Sequence, residues 1–106
     1  MSDFLDKLNV LNENKDKIIQ EVRKISTVGV TKNQAQNLRE SAVRTESIDE
    51  LLLYIEYQCV RDRNLKQAGA QLAELIKRHK EKGIEVIRFM LGTFARWVMI
   101  ESKRGA

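Results

Sequence analysis

The chain has no proline and only five glycines among its 106 residues. Proline and glycine are the residues that most often interrupt regular secondary structure. The sequence is rich instead in Leu, Ile, Lys, Glu, Gln and Arg, most of which favour helices. A chain of this length is also usual for one domain with its own core. The sequence therefore predicts an all-α fold, a compact bundle of about five helices in a single helical domain over residues 1–106.

Two capping boxes mark the starts of helices in the middle of the chain. Thr31 is followed by Gln34 three residues later, and Ser47 by Glu50 at the same spacing. In this motif the two side chains each bond a backbone N–H group that the helix leaves free. Gly83 marks a helix end, because glycine readily takes the left-handed conformation that follows many helices.

The expected helix bounds follow from these signals and from the apolar periodicity. The first helical stretch covers residues 3–25 after a cap at Ser2, and the polar run from Asn12 to Lys15 leaves open whether it is one helix or two. The second helix begins after Thr31. The others are expected from Ile48 to about Arg63, from about Leu65 to Lys82 and from Ile84 to about Ser102.

The predicted fifth helix carries apolar residues on two faces. At about 100° per residue, one face holds Ile84, Ile87, Leu91, Phe94 and Val98, and the other holds Val86, Phe89, Trp97 and Ile100. The third helix has a similar second stripe, formed by Leu53, Tyr57 and Val60. Such helices are either central in their own bundle or shared with a partner. We expect a surface for self-association or for a partner, the alternative being that both helices lie in the middle of the bundle.

The chain lacks the side chains that most catalytic and metal sites need. Cys59 is the only cysteine and His79 the only histidine, so neither a zinc site nor a Cys–His pair can be assembled. The carboxylates are scattered, and we find no Gly-rich phosphate loop and no nucleophile beside a base. His79 continues the apolar line of Leu72 and Ile76, which indicates a packed histidine at a helix end. We expect a protein that is not an enzyme and that uses no metal and no cofactor.

The sequence also bears on the compartment. No apolar run reaches the roughly 18 residues of a membrane span, and the stretch MSDFLDKLNV is too polar for a signal peptide. A single cysteine fits a reducing environment. We expect a cytoplasmic protein with no membrane partner.

The charge is unevenly distributed along the chain. Residues 1–60 carry 8 Lys+Arg against 10 Asp+Glu, whereas residues 61–106 carry 11 against 5, which gives net charges of −2 and +6. A basic half in a chain with a pI of about 9.4 is typical of proteins that bind phosphates. The alternative is a lysine-rich surface that serves only solubility.

The stretch TVGVTKNQAQNLRESAV, residues 27–43, resembles the second half of a helix-turn-helix DNA-binding motif, with a turn at Gly29 and a polar helix after it. The residues before the turn fit less well, because Lys24 and Ile25 stand where the crossing of the two helices needs an apolar and a small residue. An ordinary capped helix after a turn is therefore the better interpretation, with a DNA-binding regulator as the alternative.

A second basic feature is the series Arg88, Gly92 and Arg96, in which each residue lies one turn from the next on one side of the fifth helix. Glycine weakens a helix by about 1 kcal/mol relative to alanine. We therefore expect something to approach the backbone closely at Gly92. The two candidates are another helix and a nucleic-acid backbone held by the two arginines, since arginine grips phosphate with two donors.

Three stretches in this order resemble a known family. VTKNQAQNLRESA, LLLYIEYQCVRDRN and IEVIRFMLGTFARWVMIESKRG are similar to the small helical backbone subunit of type III-A CRISPR effector complexes. That family has a threonine-capped helix with glutamine, arginine and leucine, then a tyrosine-containing apolar helix that ends in arginine, then an aromatic-rich last helix. The similarity covers roughly residues 27–105. Gln36 replaces a basic residue of the first motif, with Arg39 one turn away, and Arg96 is a candidate local substitute.

The resemblance implies a non-catalytic role in antiviral defence. Such subunits stack head to tail in a ribonucleoprotein complex, face the duplex of guide RNA and target RNA, and contact the RNA backbone. We therefore expect as partners a guide–target RNA duplex or single-stranded RNA, other subunits of the complex and further copies of the chain. A helical protein-interaction adaptor is a further alternative. The expected RNA-binding residues are Lys32, Arg39, Arg44, Arg61, Arg63, Arg88 and Arg96.

Overall fold

Five α-helices joined by short turns form residues 2–104 of the computed structural model, which is the part of the chain that the structure describes. The helices are α1 (Ser2–Val22), α2 (Lys32–Arg44), α3 (Ile48–Arg61), α4 (Lys66–His79) and α5 (Ile84–Arg104). The prediction of an all-α bundle of about five helices is confirmed. The side chain of Ser2 lies outside the described part, and with it the expected cap of the first helix.

Helix α1 is one continuous helix, because the polar run does not interrupt it. The side chain of Asn14 donates a hydrogen bond of 2.7 Å to the carbonyl oxygen of Val10, within the helix itself. The helix ends at Val22, three residues before the expected end. Ile25 is nevertheless buried, because the turn after α1 brings it back onto the core.

The two capping boxes differ in the structure. At Thr31 both reciprocal bonds form with Gln34, as predicted. At Ser47 only half of the motif forms, because the hydroxyl accepts from the N–H of Glu50, but the N–H of Ser47 donates to the hydroxyl of Thr45. The prediction at Ser47 was therefore right about the start of α3 and wrong about the reciprocal hydrogen bond.

Two helix ends also differ from the expected positions. Helix α3 stops at Arg61 because Asp62 is extended, and a 3-10 turn, Arg63–Leu65, leads into α4. Helix α4 ends as an α-helix at His79 and continues as a 3-10 turn, Lys80–Lys82. Gly83 has the expected positive φ of 98°, but its ψ of 167° makes it extended rather than left-handed helical.

Helix α5 forms the centre of the bundle. Ile87, Leu91 and Phe94 have no exposed surface, and α1 and α2 pack mainly against α5 while α3 and α4 pair with each other. Cores of this kind contribute roughly 1.5–3 kcal/mol for each large apolar side chain buried. Within residues 2–104 no helix is long and apolar enough to cross a membrane.

Helix α1 runs parallel to α5 with a fixed register. The indole N–H of Trp97 donates a hydrogen bond of 3.2 Å to the carbonyl of Ile25, and the guanidinium of Arg23 lies 5.3 Å from the Trp97 ring. About two turns earlier on both helices, Lys15 lies over the ring of Phe89. The second apolar face of α5 is therefore largely covered by α1, as the alternative interpretation expected, and Ile100 remains exposed.

Candidate nucleic-acid interface

Helix α2 lies antiparallel to α5. At one end of the pair, Arg88 of α5 donates a hydrogen bond to the carbonyl of Ala42 near the end of α2. At the other end, the turn at Gly29 before α2 lies beside Ser102 of α5, in the lining of one shallow pocket. The start of α2 therefore lies near the end of α5, and the exposed side of α2 runs along α5.

Gly92 in the middle of α5 is covered by the side chain of Arg39. A Cβ atom added to Gly92 would lie 3.8 Å from Arg39 Nε. Among the described residues, no other atom from another helix comes within 4 Å of that position. The 3.8 Å separation is an ordinary van der Waals distance. Of the two neighbours expected at Gly92, another helix is therefore present, but α2 reaches the glycine only with the end of a long side chain.

Lys15 reaches the same part of α5 from the opposite side. Its Nζ lies 5.6 Å from the ring centroid of Phe89, three residues before Gly92. Helices α1 and α2 thus flank α5 and leave an exposed line between them that carries Arg96 and Lys103. We call this line and the cations around it the α5 strip, which consists of Lys15, Lys32, Arg39, Arg96 and Lys103.

The exposed cations of the α5 strip are free to bind an external anion. Lys32 and Arg39 are seven residues apart on α2, two helical turns on the same side, and both are exposed, as is Arg96. Within residues 2–104, none of the three has an ion pair or a side-chain hydrogen bond. Several unpaired cations along one face of a helix pair produce the positive potential that attracts a phosphate backbone.

Arg88 lies at the edge of this strip but is already engaged. Its Nε and Nη2 donate to the carbonyls of Ala42 and Thr45 at 3.0 and 2.9 Å. Its guanidinium also contacts the carboxylates of Glu85 and Glu46 at 2.9 and 3.2 Å, and only 22% of the side chain is exposed. Arg88 therefore fastens α5 to the end of α2, a task that its position on the helix did not indicate.

The remaining predicted residues lie elsewhere in the bundle. Arg44 lies beside Tyr54 at the junction of α2 and α3. Arg61 bonds to Gln58 and Asp62, and its hydrogen bond to Asp62 raises the pKa of the guanidinium. Arg63 lines a groove between α3 and α4. The structure brings three of the seven predicted residues, Lys32, Arg39 and Arg96, to the α5 strip.

The turn before α2 is held by Asn64. The predicted turn is present, with Gly29 at a φ of 83° and a hydrogen bond from the N–H of Val30 to the carbonyl of Thr27. The side chain of Asn64 donates to the carbonyl of Gly29 at 2.7 Å and to Gln34 Oε1 at 2.8 Å. Helices α1 and α2 both pack chiefly on α5, whereas a helix-turn-helix motif packs its two helices across each other.

Sequence reasoning missed Lys15 and Lys103. Lys15 belongs to the polar run that suggested an interruption of the first helix, and only the parallel packing of α1 on α5 places it over Phe89. Lys103 continues the exposed line of Arg96 after seven residues, so the helical period contained a signal for it.

A comparison of the chain with protein-family models, curated proteins and solved structures gave no match.

Proposed function

We propose that the protein is a non-catalytic RNA-binding structural subunit of a type III CRISPR ribonucleoprotein complex, and that it binds the RNA backbone with the α5 strip. The observation that carries the proposal is the set of unpaired cations that α1, α2 and α5 present on one face. The sequence resemblance supports the type of complex. A role in the cytoplasm is part of the proposal, since Cys59 would stay reduced there.

The chemistry of the strip favours the backbone over the bases. Phosphate contacts by lysine and arginine give affinity without sequence information, and binding of this type is weak, with a dissociation constant of about 10⁻⁴–10⁻⁶ M at physiological salt. Arg39 and Arg96 contribute the planar donors that suit phosphate. In this proposal Arg44, Arg61 and Arg63 lie outside the RNA contact.

The test is a binding titration of the protein with single-stranded RNA, with an RNA duplex and with duplex DNA at several salt concentrations. We expect RNA of any sequence to bind at least as well as DNA. We expect Arg39→Ala and Arg96→Ala each to weaken binding by about 1 kcal/mol, roughly fivefold. Each should also lower the slope of log affinity against log salt by about 0.7 for single strands.

Arg44→Ala is the matched control, because it removes another exposed arginine, at the junction of α2 and α3 and outside the α5 strip. It should leave both the affinity and the slope unchanged. Tight binding to one palindromic DNA site would replace the proposal with the DNA-binding regulator. Absence of nucleic-acid binding at low salt would favour the adaptor.

A further inference from the structure

The first turns of α1 extend beyond the rest of the bundle. Because α1 and α5 are parallel, with Lys15 at the level of Phe89, the residues of α1 before about Leu11 lie past the start of α5. Phe4, Leu5 and Leu8 are accordingly 70%, 57% and 41% exposed. We call residues 3–11 the α1 tip. Three large apolar side chains on one short helical segment are the pattern of a helix that docks into a groove.

A groove that suits such a helix lies between α3 and α4. It has a volume of about 600 Å³ and is lined mainly by apolar or small residues. Gly69 lets the two helices approach, since a Cβ there would overlap Cys59 Sγ. Val60, at the edge, is 80% exposed. We call this the α3–α4 groove; its apolar lining is Leu52, Ile55, Cys59, Val60, Ala70 and Ala73.

The two surfaces carry opposite charges. The pocket at the α1 tip is lined by Asp3 and Glu85 as well as Lys7, and Asp6 adds a second exposed carboxylate to the tip. These four residues have a net charge of −2. The charged residues that line the groove are Arg63, Lys66, Lys77 and Glu56, with a net charge of +2. Opposite potentials steer association and fix its orientation.

The α1 tip and the end of the α3–α4 groove that carries Arg63 also lie near opposite ends of α5. The α1 tip shares its pocket with Glu85 at the start of α5. The connection of α3 to α4 is tied through Asn64 to Gly29, and Gly29 lies beside Ser102 near the end of α5. A contact between the tip of one copy and the groove of the next is therefore heterologous, the kind that builds an open chain unless its rotation closes a ring.

We propose that the α1 tip of one copy of the protein docks into the α3–α4 groove of the next copy. Phe4, Leu5 and Leu8 enter the groove, and Asp3 and Asp6 lie against its basic edge. The contact is weak on its own, because the few apolar side chains that it buries must offset the translational and rotational freedom lost on association. The inference rests on the proposed function and adds to it the contact between neighbouring copies, but its test needs no RNA.

The test is sedimentation equilibrium of the full chain without RNA, at concentrations up to about 1 mM and at low and high salt. We expect the wild type to form open-ended oligomers that weaken with salt, since the complementary charges are exposed. Leu8→Asp blocks the tip and Ala70→Arg blocks the groove. Each variant should remain monomeric at concentrations at least tenfold higher than the concentration at which the wild type associates. Both positions are exposed, and circular dichroism will show that the variants remain folded.

Mixing the two variants gives the decisive result. The Leu8→Asp protein keeps its groove and the Ala70→Arg protein keeps its tip, so the mixture should form a dimer of one copy each and nothing larger. Leu53→Asp, which changes an exposed apolar residue of α3 outside the groove, is the matched control and should associate like the wild type. A monomeric wild type at 1 mM, or a mixture that stays monomeric, would overturn the inference.

The RNA-binding variants separate this inference from the proposed function. Arg39→Ala and Arg96→Ala should associate as the wild type does, because neither position lines the tip or the groove. Loss of association in these variants, in the absence of RNA, would contradict the docking mode. Failure of the wild type to bind RNA while it still forms oligomers would reject the RNA contact and leave the docking mode intact.

Discussion

Arg88 donates a hydrogen bond of 2.9 Å from its guanidinium to the carbonyl of Thr45, the C-cap residue that follows α2. A second bond of 3.0 Å reaches the carbonyl of Ala42. The last carbonyls of a helix have no partner within the helix, and here an arginine from another helix supplies one. The side chain therefore joins the end of α2 to the start of α5.

The first prediction concerns this joint. Arg88→Ala should lower the free energy of unfolding by about 2–3 kcal/mol, because hydrogen bonds to charged groups contribute about 1.5–3 kcal/mol and two carbonyls lose their donor. Arg88→Lys should recover only part of this, since an ammonium group cannot reach both carbonyls in the same planar geometry. Urea unfolding monitored by circular dichroism measures both variants.

Arg96→Ala is the matched control for that measurement. Arg96 lies two turns further along α5, is exposed and has no side-chain hydrogen bond within residues 2–104. Its replacement should change stability by less than about 0.5 kcal/mol. Equal stability of the Arg88→Ala and Arg96→Ala proteins would show that the joint does not stabilise the fold.

The second prediction concerns Gly92. Gly92→Ala should raise the free energy of unfolding by about 0.5–1 kcal/mol, because alanine loses less backbone freedom on folding and a methyl group there meets only Arg39 Nε at 3.8 Å. Thermal unfolding measures the change. A lowered melting temperature would mean that the backbone at Gly92 is more closely packed than the structure shows.

The contrast between Thr31 and Arg88 explains what the sequence could predict. The capping box at Thr31 is built from residues three apart, so the sequence contained the whole interaction and the prediction was right. Arg88 bonds to carbonyls 46 and 43 residues away, and nothing local indicates such partners. The same reasoning applies to the candidate site. Lys32 and Arg39 were expected from the family resemblance, whereas Lys15 joins them only through the packing of α1.

The third prediction concerns the contact between α3 and α4. Gly69→Ala should destabilise the protein by about 1–3 kcal/mol, the usual effect of overpacking, because the new Cβ would overlap Cys59 Sγ. In a Cys59→Ala background the sulfur is absent, so the same substitution should be neutral or stabilising. The four proteins form a double-mutant cycle in urea, and additive effects would contradict the close approach.

The fourth prediction concerns the thiol in the α3–α4 groove. Partial burial, and then the nearby carboxylate of Glu56, raise the pKa of Cys59 above its ordinary value. Only the thiolate reacts with alkylating reagents, so labelling of the folded protein at pH 8 should be slower than labelling of the urea-unfolded chain. Glu56→Gln should accelerate it modestly. Faster labelling in the folded state would contradict the direction of the shift.

The last prediction concerns the buried His79, which is 3% exposed and was expected to be packed at a helix end. Its Nε2 lies 2.9 Å from Glu21 Oε1, and its Nδ1 lies 3.0 Å from Lys82 Nζ. An ammonium group can only donate, so Nδ1 accepts and the neutral ring carries its proton on Nε2, which donates to the carboxylate. Nitrogen NMR should show this tautomer of the neutral ring. His79→Phe should lower stability by about 1–3 kcal/mol, because Glu21 and Lys82 lose a partner. Arg78→Ala, which removes an exposed contact to the same carboxylate, should cost less than about 1 kcal/mol. A proton on Nδ1 would mean that Lys82 does not bond to the ring.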